Sequence, residues 1–405
     1  MPATEEFAAL VASLREGGAS LVGLELKDFE SYGRGLSTTE GQEGGAKLAR
    51  LPLKHCITNR LEDAPEHLRP VLTDAFGPDF GGGSLPLCVR LWSEWSHPSS
   101  PVFAAWMPLL RGCLAGAPCW DSAAAERCGP LARVAQLLEA AEQQRAALLK
   151  QLGDLASRFP EKLPNAPDEQ DVAWLHAVCT SRTITLPCDD TDSSTAVVQV
   201  IAPVVDFVNH SFQQGPTPFV QLSGGELTLR SVCNLAPGDQ VLGPYYGAAT
   251  NDDLFVDAGI ALLDNPYHMV DLCLSAPSFR PSQEAAMRRL KLDRFLRTGR
   301  PGHSAVSIML RQADPFPAVA IVLSRILSGS EESETLQMNV SEGTADMDNK
   351  WLPMLLQVLT GHLKLYPQVD STENPADIVY NSTRGVLKAA VSKLLAFSQV
   401  TKTPK

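Results

Sequence analysis

Apolar residues recur at helical spacing in the long stretch that follows residue 133. Side chains three or four positions apart fall on one face of an α-helix. The members of this row are Val134, Leu137, Leu138, Ala141, Leu148, Leu149, Leu152, Leu155 and Phe159. Charged residues such as Glu142 and Lys150 occupy the other positions. The pattern predicts a long amphipathic helix, and it follows a stretch in which Trp92, Trp95 and Trp106 gather.

Short apolar runs bounded by turn residues predict β-strands on both sides of this helical region. The predicted strands are Leu48–Leu53, His55–Thr58, Phe219–Leu222 and Glu226–Cys233. The pair Gly224-Gly225 separates the last two and predicts a tight turn between them. Another apolar run ends on Asn209-His210-Ser211.

Beyond a proline-rich passage near residue 266, the spacing of apolar residues predicts helices again. These helices are expected over Ala285–Leu296, Ser304–Arg311, Ala318–Leu327, Leu352–Leu363 and Val386–Phe397. The polar and acidic stretch 328–350 predicts a flexible loop. We therefore expect an α+β protein in which an all-α domain follows a region of short strands.

The composition is that of a globular protein. Of 405 residues, 44% are hydrophobic and 20% charged, and no apolar run approaches the roughly 18 residues of a membrane span. The acidic N-terminal stretch lacks the features of a secretory or transit peptide. We expect a soluble protein of the cytoplasm or nucleus.

A formal net charge of −12 argues against a nucleic-acid partner bound through a broad basic face. Nine cysteines are too few for a disulfide scaffold in a chain of this length. Cys113, Cys119 and Cys128 cluster without a CxxC pair, so no metal site is predicted.

Three features in order indicate a particular chemistry. Asp206-Phe207-Val208-Asn209-His210-Ser211 comes first, a Pro-Gly turn follows, and Tyr246-Gly247 then precedes Asn251 by a few residues. This arrangement resembles the C-terminal half of a SET domain, in the branch that contains the Rubisco large-subunit and actin methyltransferases. Taken singly, each feature has a structural explanation: a histidine after an apolar run or a tyrosine pair before a glycine is common in packed cores.

Two further segments extend the resemblance. Tyr32-Gly33-Arg34-Gly35-Leu36 matches the first loop by which the family contacts S-adenosylmethionine (SAM). Ser181 and Arg182 take the positions of a Ser-Arg pair at the cofactor and target-lysine pocket, although a helix C-terminus with a basic residue would look the same.

The resemblance implies a SAM-dependent transfer of a methyl group to a lysine side chain of a protein substrate. It assigns cofactor binding to Tyr32, Gly33, Arg34, Gly35, Ser181, Arg182, Asp206, Asn209, His210 and Tyr246. It makes Tyr246 the catalytic tyrosine, with Tyr245 as the neighbour that a shifted alignment would choose. Because a tyrosine of pKa about 10 is a poor base at neutral pH, we expect Tyr246 to orient the attacking nitrogen by a hydrogen bond.

The resemblance also implies four parts: the first part of the SET domain in 1–60, a helical insertion in 61–175, the second part in 176–264, and a helical domain in 265–405 that docks the protein substrate. One departure concerns the adenine. The family usually has a Tyr-Gly-Phe element that covers it, whereas this chain has Ala258-Gly259-Ile260, so the cover must come from elsewhere or be weaker. Two alternatives stay open, a non-catalytic SET scaffold and methylation of a histidine. The oligomeric state is not predicted.

Overall fold

A computed structural model gives the architecture. The residues that the structure describes are 3–30, 33–77, 84–114, 132–187, 197–213, 215, 218–244, 247–263, 265–277, 296–298, 303–311, 351–366 and 375–400. The described residues fall into two compact units, of which the first comprises 1–120 and 138–248 and the second 121–137 and 249–405.

Helices and short strands alternate along the chain. The helices are α1 (Ala3–Glu16), α2 (Arg69–Phe76), α3 (Ser84–Ser96), α4 (Pro101–Leu114), α5 (Ala132–Arg158), α6 (Glu169–Arg182), α7 (Asn251–Ala258), α8 (Trp351–Lys364) and α9 (Pro375–Val400). The first strands are β1 (Ser20–Leu21), β2 (Leu24–Phe29), β3 (Gly33–Thr38), β4 (Lys47–Pro52), β5 (Ile57–Thr58), β6 (Ile184–Pro187) and β7 (Val197–Ile201). The others are β8 (Asn209–His210), β9 (Val220–Ser223), β10 (Glu226–Arg230), β11 (Leu242–Gly243), β12 (Met269–Pro277), β13 (Leu296–Thr298) and β14 (His303–Arg311).

Small sheets build the first unit. One has the order β1-β4-β10-β9, a second β5-β7-β6, and the hairpin β2-β3 and the parallel pair β11-β8 complete the set. The predicted hairpin after residue 218 is confirmed: Val220 and Leu222 on β9 and Leu227 and Leu229 on β10 are buried. Their period of two places one face of each strand on the core. Both residues of the Gly224-Gly225 turn have positive φ.

Helices α2 to α6 lie in sequence between β5 and β6, so helical chain separates two stretches of strand. Helix α6 begins where Asp168 accepts a hydrogen bond of 2.8 Å from the backbone N–H of Asp171, a side-chain cap of the kind that aspartate provides. Inside the unit Phe7 meets Phe207 edge to face, with ring centres 5.9 Å apart. The predicted α+β class is confirmed.

The second unit also contains a sheet, so the expectation of an all-α C-terminal domain was wrong. Strands β12, β14 and β13 form an antiparallel sheet in that order. Ser304–Arg311, predicted to be a helix, lies within β14. In this stretch Val306, Ile308 and Leu310 recur at every second residue, which is a strand period, and pairing along β12 stabilises it.

Two predicted C-terminal helices are confirmed as α8 and α9, which pack against each other. Leu296, the last residue of the helix expected from Ala285, begins strand β13. The rest of that helix and the predicted elements in 318–350 lie outside the described residues. Of the helices described, none combines the length and apolar character that a bilayer crossing requires.

Candidate functional site

The predicted site residues that the structure describes lie in the first unit. Gly33, Arg34 and Gly35 begin strand β3, Ser181 and Arg182 end helix α6, and Asn209 and His210 form strand β8. Asp206 lies in a short 3-10 helix, Val205–Phe207. Tyr32, Tyr245 and Tyr246 lie outside the described residues, so their predicted roles stay predictions.

Asn209 joins two of these segments. Its side-chain amide donates a hydrogen bond of 3.2 Å to the carbonyl oxygen of Arg34. Gly35 is required for this approach, because a Cβ atom at that position would lie 2.6 Å from Asn209 Nδ2 and 2.7 Å from Gln240 Nε2. The two stretches that the sequence assigns to the cofactor are therefore held against each other.

His210 is a buried, neutral residue at the pairing of β8 with β11. Only 1% of it is exposed, and its ring lies edge-on to Phe212, with centres 4.5 Å apart. Burial lowers the pKa of His210 to about 4, against the opposing effect of a hydrogen bond with the Gly243 backbone. At neutral pH the imidazole is uncharged, which suits a positioning role rather than proton donation.

The backbone in front of Asp206 is strained. Val204 has φ 71° and ψ −50°, a γ-turn conformation that is rare and costly for a β-branched residue. Val204 is also fully buried, so packing fixes this conformation. Strained backbone of this kind concentrates at ligand and catalytic sites, and here it sets the direction of the helical turn that carries Asp206.

Trp106 of α4 holds the Asp206 carboxylate. The indole N–H donates a hydrogen bond of 2.9 Å to Asp206 Oδ2, and Trp106 is fully buried. Burial raises the pKa of Asp206 to about 7, although the charge of Arg182 and the Trp106 hydrogen bond both lower it. Asp206 therefore keeps its proton to a higher pH than an ordinary carboxyl group does.

Ser181, Arg182 and Asp206 line one cavity of about 370 Å³. Residues 183–186 and Val205, Phe219, Val220 and Pro244 complete the lining. Three buried polar atoms of lining residues have no hydrogen-bond partner among the described residues: Asp206 Oδ1, Arg182 Nε and Thr183 Oγ1. Buried polar atoms are nearly always paired in folded proteins, so three unpaired ones in residues that line one cavity are an unusual grouping.

The structure is compatible with both interpretations of the Ser181-Arg182 pair, as part of the pocket and as the end of a helix. Arg182 is the basic residue in the last turn of α6, where it complements the helix dipole. The same residue lines the cavity and interacts electrostatically with Asp206. The Ser181 hydroxyl donates to the Ala177 carbonyl at 2.6 Å and so is engaged within its own helix.

Sequence reasoning missed three contributors to this site. Trp106 was noticed only as part of a tryptophan-rich stretch, and a contact over 100 positions leaves no local signal. Thr183 follows directly after the Ser-Arg pair and could have been proposed from that position. The conformation of Val204 had no sequence signal, since β-branched residues avoid positive φ.

A second polar cluster surrounds Asn251, in the second unit. The Asn251 amide nitrogen donates to the Leu262 carbonyl at 2.9 Å and the Ser382 hydroxyl at 3.1 Å. Its side-chain oxygen accepts from Leu262 N at 3.1 Å and Asn265 Nδ2 at 2.9 Å. The Asn251 backbone N–H donates to His268 Nδ1 at 3.3 Å. Helix α7 thus begins at a fully bonded residue, and Gly259 ends it in the left-handed conformation.

Comparison with known proteins rests on structure. No family model and no curated protein sequence matches the chain. Similar solved structures include the SET domain of LSMT bound to lysine and AdoHcy, at 16% identity and a TM-score of 0.65 over 99% of this chain and 92% of that one. Rubisco LSMT bound to sinefungin and monomethyllysine gives 14% identity and a TM-score of 0.67, over 100% and 94% of the two chains.

The chain has a SET-domain fold. Rubisco LSMT bound to AdoMet gives a further match, with 14% identity and a TM-score of 0.62 over 99% of this chain and 93% of that one. The coverage includes both compact units, so the SET resemblance extends beyond the motifs that suggested it. Within the described part of this SET fold, no group of three histidine, cysteine or acidic residues could hold a metal ion.

Proposed function

We propose that the chain is a SAM-dependent protein methyltransferase that acts on a lysine side chain. The main support is the 370 Å³ cavity, which Ser181, Arg182 and Asp206 line together as the motifs require. Unpartnered buried atoms of Asp206, Arg182 and Thr183 border it, in a fold whose similar solved structures were bound to AdoMet, AdoHcy, lysine or methyllysine.

The polar groups of the cavity suit SAM. SAM carries an amino group, a carboxylate, hydroxyl groups and a sulfonium charge. Asp206 offers an acceptor, Arg182 a donor and Thr183 a hydroxyl that can do either, and the volume falls in the range of small-molecule sites. When bound, SAM supplies an electrophilic methyl carbon. The protein must then bind and align the two reactants and exclude water.

Each residue has a role in this scheme. Asn209 holds β8 against β3, so that the Gly33–Gly35 stretch and the Asp206–Ser211 motif present their backbone groups together. Neutral His210 keeps the strand pairing without adding positive charge beside a sulfonium. Trp106 and Arg182 hold the Asp206 segment, and Tyr246 orients the attacking nitrogen. A lysine of pKa about 10.4 costs roughly 4–5 kcal/mol to deprotonate at pH 7, and an apolar channel lowers that cost.

Calorimetry with SAM tests the cofactor assignment. We expect the chain to bind SAM, and we expect Asn209→Ala and His210→Ala to abolish binding while circular dichroism shows a folded protein. Asn59→Ala is the matched control: Asn59 accepts a bond from Gln199 N at 3.0 Å elsewhere in the same unit. Unchanged SAM affinity in the folded Asn209 and His210 variants, or no binding by the parent chain, would remove the assignment and favour the scaffold alternative.

A methyl-transfer assay tests the role proposed for Tyr246. Tyr246→Phe should lower turnover by one or more orders of magnitude, the size expected for loss of an orienting hydrogen bond in a transition state, with little change in SAM affinity. Tyr245→Phe is the control. If only Tyr245→Phe lowers turnover, Tyr245 rather than Tyr246 is the catalytic tyrosine.

Mass spectrometry of the product decides between lysine and histidine as the methylated side chain. Methyl on an imidazole, with a rate that levels off near neutral pH, would contradict lysine.

We further propose that residues 265–405 dock the protein substrate and that no nucleic acid takes part. Because Ser382 holds Asn251, deleting this region would also disturb the segment that follows Tyr246. Hydrogen exchange on the intact chain, with and without a methylated substrate protein, is the cleaner test; protection confined to the first unit would contradict docking.

Cytoplasm or nucleus remains the proposed location.

A further inference from the structure

A second cavity, of about 270 Å³, lies in the first unit and is lined by three tryptophans. Trp92 and Trp95 come from α3 and Trp174 from α6, and Asp171 lies beside them at the start of α6. His97 and Asn165 are exposed at its edge. None of the residues assigned to SAM or to the target lysine lines this cavity, so the proposed function leaves it unexplained.

The indole rings form a corner. The ring centres of Trp95 and Trp174 are 3.9 Å apart and their planes meet at 72°, so the two walls are close to perpendicular. Trp92 is only 4% exposed. Aromatic faces arranged around a small space attract cations through the ring quadrupole, and tryptophan does so most strongly.

One of these rings already holds a cation in this chain. The guanidinium of Arg111, on α4, lies 4.1 Å from the centre of the Trp95 ring, well within the distance for a cation–π contact. Arg111 is not among the residues that line the cavity. Arg111 thus contacts Trp95 outside the cavity lining.

The polar groups specify the ligand further. The ion pairs found among the described residues do not include Asp171, and the buried Trp174 indole N–H has no acceptor among them. Asp168, Glu169 and Asp171 bring three negative charges to the start of α6, more than the roughly half positive charge of a helix N-terminus. A ligand that pairs with Asp171 in this cavity carries a positive charge.

We propose that this cavity binds the methylated ammonium group of a modified lysine in a peptide, with the Asp171 carboxylate facing its positive charge. The volume is below that of most drug-sized sites and suits a single side chain. A bare ammonium is strongly hydrated and loses that hydration on entry, whereas methyl groups present an apolar surface to the rings. An uncharged aliphatic anchor would leave Asp171 unpaired.

Calorimetry with small probes tests the chemical class. N-acetyl-Nε-trimethyllysine amide should bind, and its neutral analogue, with carbon in place of the quaternary nitrogen, should bind at least about tenfold more weakly. The unmodified lysine amide should also bind more weakly. Equal affinity for the charged and neutral probes would overturn the proposal, and so would the absence of trimethyllysine binding.

Variants locate the site. Asp171→Asn and Trp174→Leu should each weaken trimethyllysine binding about tenfold or more, and Trp174→Phe should lose less because an aromatic face remains. Glu169→Gln is the matched control: it removes a negative charge from the same helical turn, and Glu169 does not line the cavity. If Trp174→Leu fails to fold, trimethyllysine binding by Asp171→Asn still tests the proposal.

The same variants separate this site from the proposed active site. Trimethyllysine binding that survives Asp171→Asn, but is lost in Asp206→Asn, would place the probe in the 370 Å³ cavity, which Asp206 lines, and overturn the second site. SAM binding should be unchanged in Asp171→Asn, so failure of the SAM assignment and failure of this proposal give different results.

Discussion

Asp206 and Asn251 are both buried polar residues of the motifs that suggested the fold, yet their surroundings differ. Asn251 is fully buried and makes four side-chain hydrogen bonds within its own unit. Asp206 is 4% exposed, one of its oxygens accepts from Trp106, and the other has no partner among the described residues. An amide that makes four bonds has no capacity left for a ligand; a half-satisfied carboxylate beside a cavity does. The difference separates a framework residue, Asn251, from the proposed binding residue, Asp206.

The largest expected effect is at the framework residue. Asn251→Ala should lower the free energy of unfolding by about 3–5 kcal/mol, because it strands several buried donors and acceptors at once. Asn234→Ala is the control, since exposed Asn234 accepts a single bond from Gly44 N at 2.8 Å and its loss should cost about 1 kcal/mol or less. Urea denaturation measures both. Equal losses in the two variants would contradict the framework role.

Asp206, the proposed binding residue, should affect how the free energy of unfolding depends on pH. Burial raises the pKa of Asp206 to about 7, so the folded state holds this proton more tightly than the unfolded state. The contribution of Asp206 to stability therefore falls as pH rises from about 4 through 7. Asp206→Asn keeps an acceptor for Trp106 but removes the titration, and its stability relative to the parent should rise by about 2–3 kcal/mol between pH 5 and pH 8.

Buried histidines act in the opposite direction. Burial lowers the pKa of His176, His210 and His268 to about 4, so each adds stability as pH rises from about 4 to 6.5. All three histidines are present in the parent and in Asp206→Asn, so their contributions cancel in the difference between the two free energies of unfolding. Asp154→Asn, at an exposed position of α5, is the control. A pH-independent difference between Asp206→Asn and the parent would contradict the raised pKa.

The motifs pointed to residues that the structure also brings together: Asn209 donates to the Arg34 carbonyl, and Ser181 and Arg182 share a cavity with Asp206. Their roles toward SAM stay predictions, whereas part of the fold around them was predicted wrongly. The strand at His303–Arg311 was mistaken for a helix because alternation over nine residues is weak until a neighbouring strand pairs with it. Contacts from Trp106 to Asp206 and from Ser382 to Asn251 span 100 and 131 positions. Such contacts depend on packing, which a single sequence does not contain.

The smallest change in stability, with a clear change in binding, is expected at Gly35. A Cβ at this position would meet Asn209 Nδ2 and Gln240 Nε2, both at the ends of flexible side chains. These ends can move aside, so Gly35→Ala should lose the Asn209–Arg34 hydrogen bond, worth about 1 kcal/mol. Alanine also lowers the conformational entropy of the unfolded chain relative to glycine, which favours folding and offsets part of that loss. The net change in stability should thus stay within about 1 kcal/mol.

Binding should respond to Gly35→Ala much more strongly, because a displaced Asn209 no longer joins the two segments proposed to hold SAM. We expect affinity for SAM to fall about tenfold or more. Gly41→Ala is the control, since a Cβ there would lie 3.8 Å from the Leu235 carbonyl oxygen, an ordinary contact. Unchanged SAM affinity in Gly35→Ala would show that Asn209 is, like Asn251, a framework residue, and would remove the distinction between the two asparagines.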